Sequence, residues 1–389
     1  MAITDARPLG LLQRERALRP DLLLVLPYLA LSAFGVLMIY TASASRLTAA
    51  GADPGFLMKR QAVFVLVGMI AFVAVSLFES RPLKAKVPVI YLGTLTLLLL
   101  ALTPIGASRL GANRWIEVGP FQLQPSEFAK LGVILALAAL LSETGEGPLR
   151  WHHLLRTAVI VGIPSTLIFL QPDLGTMLVF TFISAAVLFV AGTTWRQLVF
   201  LVLVAVVGTI VLLQINALQD YQLTRITAFM DDTSDLAATA NYNQNQSVTA
   251  IGSGGFLGKG LLEGTQTNLS FVPEQETDFI FTAVGEQLGF VGAVTVLALY
   301  LAIIWRLLAA AANARDRFSQ LLAVGVAAFM GFHVFVNVGM TLRVMPVTGL
   351  PLPFMSSGGS AFIAMSIALG LGHGVWMRRS PVPGERQLL

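Results

Sequence analysis

Apolar runs of about twenty residues, each interrupted by a short polar stretch, recur along this chain of 389 residues. Ten such runs occupy about 22–43, 61–79, 88–105, 128–142, 155–171, 174–192, 197–216, 278–305, 319–340 and 358–377. That length is what an α-helix needs to cross a bilayer core. The runs lack the every-second-residue alternation of membrane barrel strands, so helices are predicted for all of them. The expected fold is all-α and polytopic: a segment 1–21, a ten-helix membrane domain 22–377 and a tail 378–389. One stretch departs from the pattern. Residues 217–277, between the seventh and eighth runs, are mostly polar, and a connection of that length without obvious structure of its own is usually functional or disordered. It ends in Thr277-Asp278-Phe279-Ile280-Phe281, which carries a carboxylate straight into an apolar run. Ionisable groups at membrane depth are costly and point to function.

Composition narrows the class. The chain is 56% hydrophobic and 12% charged, with a mean hydropathy of +0.77, values that exclude an ordinary soluble fold. The first 21 residues lack a compact apolar core followed by a small-residue cleavage site, so no cleavable signal is expected. The absence of cysteine excludes disulfides and thiolate metal sites. A pI near 9.6 would suit nucleic acid, but the basic residues are scattered over loops and form no stripe, so no nucleic-acid partner is expected. With the N-terminus cytoplasmic, sixteen of the 25 Lys and Arg lie on the inner side. The bias favours that orientation, and ten spans return the C-terminus to the cytoplasm. The stretch 217–277 then faces outward.

Four outward elements carry candidate chemistry. Gly111-Ala112-Asn113-Arg114-Trp115 precedes Gln124-Pro125-Ser126-Glu127-Phe128-Ala129-Lys130. Glu127 and Lys130, three apart, share one helix face. They form either a capped, paired helix end or a charged wall of an outward cavity. Gln171-Pro172-Asp173-Leu174-Gly175-Thr176 has the proline and acid of a helix start, a structural role that competes with substrate contact at Asp173. Between the ninth and tenth runs, Arg343 to Ser360 holds three prolines and three glycines and cannot continue a helix. Broken backbone at membrane depth is tolerated only inside protein or beside a watery cavity, so it marks a site or a re-entrant plug. The last element includes Tyr221, Arg225, the glycine-rich Ile251-to-Gly260 segment with Lys259, and Asp278. The glycines resemble an anion-cradling loop in outline, but the Walker spacing is absent. Asp278 either N-caps the eighth helix or is a catalytic carboxylate. Gly285, Gly289 and Gly292 along the eighth run suit close helix packing.

These motifs occur in an order that resembles the SEDS family (shape, elongation, division and sporulation). The resemblance rests on the Gly111–Trp115, Gln124–Lys130 and Gln171–Thr176 motifs, Ala250-Ile251-Gly252-Ser253-Gly254-Gly255, Pro273-Glu274 through Phe281, and Pro351-Leu352-Pro353-Phe354 before Gly358-Gly359-Ser360. It covers about 22–377. Gly264-Thr265-Gln266 and Pro346 through Pro351 look more like the elongation branch than the division branch. Ser357 stands where many relatives have tyrosine, and Gln287 where many have a second glutamate.

The resemblance implies a peptidoglycan glycosyltransferase that polymerises lipid II, an undecaprenyl-pyrophosphoryl disaccharide-pentapeptide, on the outer face of the bacterial cytoplasmic membrane. It assigns Asp278 as the general base. Arg114, Arg225 and Lys259 are the expected pyrophosphate or sugar contacts, while Glu127 and Lys130 shape the cavity. One positioned base suffices for an inverting attack by a sugar hydroxyl, and cations meet the leaving pyrophosphate. A divalent cation such as Mg2+ would suit that pyrophosphate, although no ligand spacing demands one. Expected partners are a class B penicillin-binding protein and other membrane proteins of the elongation complex. A lipid-linked oligosaccharide flippase and a non-catalytic scaffold are the rival classes. Glycan formation from pure lipid II separates all three.

Overall fold

The computed structural model describes residues 19–104, 106–109, 112–119, 121–145, 147–214 and 241–379. Seven helices come first: α1 (Leu22–Ala49), α2 (Phe56–Ser76), α3 (Ser80–Ala101), α4 (Pro125–Leu141), α5 (Trp151–Phe169), α6 (Leu174–Ala191) and α7 (Trp195–Gln214). The short α8 (Tyr242–Ser253) and α9 (Thr265–Asn268) follow, then α10 (Ile280–Ala312), α11 (Arg317–Thr341) and α12 (Gly359–Met377). Eight of these are long and apolar enough to cross a membrane. The 17-residue α4 and the peripheral α7 complete the ten-run pattern. Asp side chains set two of the starts. Asp173 caps α6 by accepting from the Thr176 amide at 3.1 Å, and Asp316 caps α11 through the Ser319 amide at 2.9 Å.

The helices differ sharply in burial. In α11, 83% of the most apolar window is buried, against 17% in α3. α11 is therefore the axis of the bundle, packed by α4, α6, α10 and α12, while α2, α3 and α5 present broad apolar faces outward, as lipid contact requires. Consecutive helices alternate direction, which gives the bundle two ends. One holds the sheet, α8, α9 and the 342–358 segment; the other holds the start of α1 and the ends of α10 and α12.

The all-α expectation needs one addition. The connection after α3 folds as a three-stranded antiparallel sheet, β1 (Gly106–Arg109), β2 (Ala112–Val118) and β3 (Phe121–Leu123). β1 pairs Gly106 with Ile116, with a bulge between Ala107 and Ser108. β3 is fixed to the start of α12: Ser360 Oγ accepts from the Gln124 amide at 3.0 Å and donates to the Gln122 carbonyl at 2.8 Å. Short strands with no core of their own gave no apolar run, so hydropathy passed them over.

The polar stretch is likewise more structured than its composition suggests. Its described part, 241–277, carries α8 and α9. Polar side chains replace apolar packing there: Ser247 bonds Thr282 Oγ1 at 2.6 Å and the Thr341 carbonyl at 2.8 Å, and Gln244 bonds the Met340 and Met345 carbonyls at 2.9 and 2.7 Å. Tyr221 and Arg225 lie outside the described residues.

Candidate active site

The glycine-rich loop after α8 explains a break in α10. Gly289 has φ 64° and ψ −160°, which interrupts the helix. Its neighbours then lose their ordinary i−4 partners. The Phe290 and Val291 amides turn to the Gly255 and Phe256 carbonyls at 2.9 and 3.2 Å, while the freed Glu286 and Gln287 carbonyls accept from Lys259 and Gly260 amides, both at 3.0 Å. The exchange keeps these amides and carbonyls paired. Contact is backbone to backbone: a Cβ on Gly258 would lie 2.2 Å from the Gln287 carbonyl oxygen. Close packing is thus the role of Gly285 and Gly289, and the loop amides are spent on α10 rather than on an anion.

Glu286 locks this arrangement. Its side chain is fully buried and accepts from Lys259 Nζ (2.9 Å), the Gln266 and Thr267 amides (2.8 and 2.9 Å) and Thr267 Oγ1 (2.8 Å). Lys259 also donates to Thr265 Oγ1 at 2.7 Å, with 27% of its side chain exposed.

Asp278 sits at the end of the 273–278 turn, half-buried. Asp278 directly precedes Phe279, the N-cap residue of α10, whose own side chain makes no cap bond. The turn is gripped from several elements. Arg46 of α1 forms an ion pair with Glu276, the Ser357 amide donates to the Glu276 carbonyl at 2.8 Å, and Gln275 Nε2 donates to Thr267 Oγ1 at 3.0 Å. The Asp278 amide donates to the Glu274 carbonyl at 3.0 Å, and Asn337 Nδ2 donates to the Asp278 carbonyl at 2.8 Å. Glu274 itself is left-handed, φ 51°, as are Arg343 and Phe354 at either end of the broken segment. Strained backbone of this kind concentrates at functional sites.

The broken segment 342–358 passes beside this turn. Gly349 (φ 72°) lies against the Asp278 carboxylate: a Cβ there would sit 3.5 Å from Oδ2. Gln61 of α2 steadies its far end, accepting from the Gly358 amide at 3.3 Å. α11 holds its middle through two side chains one turn apart. Asn337 donates to the Leu350 carbonyl at 2.8 Å, and His333 Nδ1 bonds the Pro351 carbonyl at 3.1 Å. A carbonyl only accepts, so the proton sits on Nδ1, and Nε2 is left to accept from Lys130 Nζ at 3.2 Å. Lys130 also pairs with Glu127 Oε1 at 2.7 Å; both side chains are buried. Glu127 Oε2 and Ser126 Oγ have no hydrogen-bond partner among the described residues.

The predicted residues therefore divide. Asp278, Glu127 and Lys130 are brought to one region through α11 and the broken segment. Lys259 holds Glu286. Asp173 caps α6 with both carboxylate oxygens, Oδ2 accepting from Thr176 Oγ1 at 2.9 Å. Arg114 Nε donates to the Gln171 carbonyl at 2.7 Å, and its NH2 nitrogen bonds the Pro172 carbonyl, tying the sheet to the α5–α6 turn. Arg225 lies outside the described residues. Sequence reading passed over Arg46, Glu276, Glu286, His333 and Asn337. A signal existed for three of them: Glu286, His333 and Asn337 are polar residues inside otherwise apolar runs.

The arrangement is that of a polytopic membrane protein whose polar groups converge on a half-buried carboxylate at one bundle end. Residues 21–379 match the family model described as FTSW_RODA_SPOVE, cell cycle protein, and the chain belongs to that family. It is 38% identical to the peptidoglycan glycosyltransferase MrdB of Escherichia coli K12, over 91% of this chain and 92% of that one. It is 34% identical to a probable peptidoglycan glycosyltransferase FtsW of Geobacter sp. (strain M18), over 90% and 95%. A chain from a peptidoglycan synthase complex that coordinates polymerization and crosslinking superposes with a TM-score of 0.78 at 33% identity, covering 92% and 98%. The SEDS resemblance in the motifs is thus borne out.

Proposed function

We propose that this protein is a peptidoglycan glycosyltransferase that polymerises lipid II at the outer face of the cytoplasmic membrane, with Asp278 as general base. The observation that carries the base assignment is a half-buried carboxylate at the start of α10, its residue held at both backbone amide and carbonyl and its Oδ2 lying against Gly349. In this reading Asp278 takes the proton from an acceptor sugar hydroxyl as that oxygen attacks the anomeric carbon. The bond to the pyrophosphate breaks, configuration inverts, and the departing charge is met by cations. Arg225 is assigned to that role, joined by Lys259, which has one ammonium hydrogen beyond its two bonds. Arg114 is assigned to the same role, while its bonds to the Gln171 and Pro172 carbonyls tie the sheet to the α5–α6 turn. Glu127 and Lys130 form the inner wall.

Among the described residues, no group of three or more acidic or histidine side chains is arranged to hold a metal. These residues alone do not make a cage for Mg2+, which would need phosphate oxygens from substrate as ligands. The partner in this reading is a class B penicillin-binding protein, supported by the likeness to a chain of a peptidoglycan synthase complex. Gly264-Thr265-Gln266 and the Pro346-to-Pro351 segment favour the elongation branch over division. The opposite bundle end is stitched together by the Asp21–Arg306 pair at 2.7 Å and by Arg378 on the Ser76 carbonyl at 2.9 Å. That closure favours a polymerase over a flippase, which needs a path to that side.

The test is glycan formation from pure lipid II by the protein with its partner. Asp278→Asn is expected to lower the rate by about 100-fold or more; a wild-type rate would sink the assignment.

A further inference from the structure

Asn337 is fully buried in α11, the most buried of the eight helices long and apolar enough to cross a membrane. Its one nitrogen spends both hydrogens on carbonyls from separate parts of the chain, Asp278 and Leu350, each at 2.8 Å. Its Oδ1 has no partner among the described residues. A bare buried acceptor is costly, so an amide is a poor choice for filling space here. What an amide supplies, and no apolar residue of similar size does, is two coplanar donors on a single atom.

Those donors join two segments that meet at the carboxylate, the 273–278 turn and the broken segment. One bond fixes the carbonyl of Asp278 itself. The other fixes the residue after Gly349, whose backbone lies against Asp278 Oδ2. With the Asp278 amide already held by Glu274, the peptide units on both sides of the aspartate are constrained. His333, one turn earlier, secures the next carbonyl, Pro351, and accepts from Lys130. α11 thus works as a rack that sets the carboxylate, the broken segment and the Glu127–Lys130 wall in one register.

We infer that Asn337 is a positioning residue for Asp278, fixing the carboxylate relative to the Gly349–Leu350 backbone where the acceptor hydroxyl is deprotonated. The inference rests on the reading of Asp278 as base. It does not place Asn337 against substrate.

The test uses the full-length protein with its penicillin-binding partner and lipid II. Asn337→Ala is expected to lower kcat by about 10- to 100-fold, since misplacement by about 1 Å costs on that order. KM for lipid II should change by less than about threefold, because substrate contacts are intact. Asp278→Glu, already displaced by one methylene, gives the second arm. Adding Asn337→Ala to it should slow the enzyme less than about twofold further, because residues acting as a unit are not additive. Wild-type kcat in Asn337→Ala, a loss confined to KM, or full multiplication of the two losses would overturn the inference. If Asn337→Ala does not accumulate as folded protein, Asn337→Asp replaces it, since it keeps the shape and at most one of the two bonds. The same criteria then apply. A wild-type rate for Asp278→Asn would instead defeat the base assignment, whatever Asn337 does.

Discussion

Two buried glutamate–lysine pairs lie near one end of this bundle, and they are built differently. In Glu286–Lys259 the carboxylate is saturated: Lys259, two backbone amides and the Thr267 hydroxyl all donate to it, and the lysine reaches solvent. In Glu127–Lys130 both partners are sealed from solvent, Oε2 of the glutamate is bare, and the neighbouring Ser126 hydroxyl is bare too. Full satisfaction is what a structural lock requires. Glu286 staples the 254–267 segment over the break at Gly289, and nothing is left over. Unspent hydrogen-bonding capacity beside a rigid rack has a different use, because a buried polar atom without a partner is retained at a cost. In the first pair the carboxylate is wholly committed to holding the loop; in the second a carboxylate oxygen stays unspent.

The contrast breaks most readily at the lysines. Lys130→Met leaves Glu127 buried without a counter-charge, which costs about 3–5 kcal/mol. Lys259→Met leaves Glu286 with its amide and hydroxyl donors, and about 2 kcal/mol is expected, the worth of one hydrogen bond to a charged group. Thermal unfolding of the two purified variants decides it, and equal losses would erase the distinction.

A smaller effect on stability, with a large one on activity, sharpens the point. Replacing both members of the inner pair, Glu127→Gln with Lys130→Met, removes the unpaired charge. Stability should return to within about 2 kcal/mol of the parent, while polymerisation stays depressed by at least about 100-fold if that wall serves catalysis. Recovery of both would make the inner pair a second lock.

The smallest effect belongs to a third, exposed pair. Asp53 accepts from Lys59 at 2.7 Å and from the Gly55 amide at 2.9 Å. The Lys59 bond first, and the Gly55 amide second, hold its carboxyl below the ordinary aspartate value. A depressed folded-state pKa adds stability that is present above the unfolded value of about 3.9 and fades as pH falls through the lower folded value. Solvent screens this pair, so Asp53→Asn should leave lipid II polymerisation at neutral pH unchanged and alter unfolding only within error. A measurable loss at neutral pH would show that exposure does not rank these pairs.

Much of the architecture was legible in the residues. Ten apolar runs became ten long helices, because bilayer thickness fixes helix length and backbone satisfaction fixes helix as the form. Asp278 stood out because a carboxylate beside an apolar run is rarely there by default. Asp173 was also legible, and it turned out to cap a helix. The sheet at 106–123 and the helices inside the polar stretch were not, since their stability comes from hydrogen bonds to distant elements rather than from a local apolar pattern.

The chain alone thus determined the helical, polytopic character of the fold and the position of the break near residue 350, both properties of local composition. It did not determine which helix is central. α10 and α11 are similarly apolar, yet only α11 is buried nearly throughout. Nor did it determine that Lys259 would be held by Glu286, or that one amide on α11 would reach both Asp278 and Leu350 across sequence separations of 59 and 13. Such partnerships are settled when helices pack, because a side chain at membrane depth must find its donor or acceptor in whatever element arrives beside it.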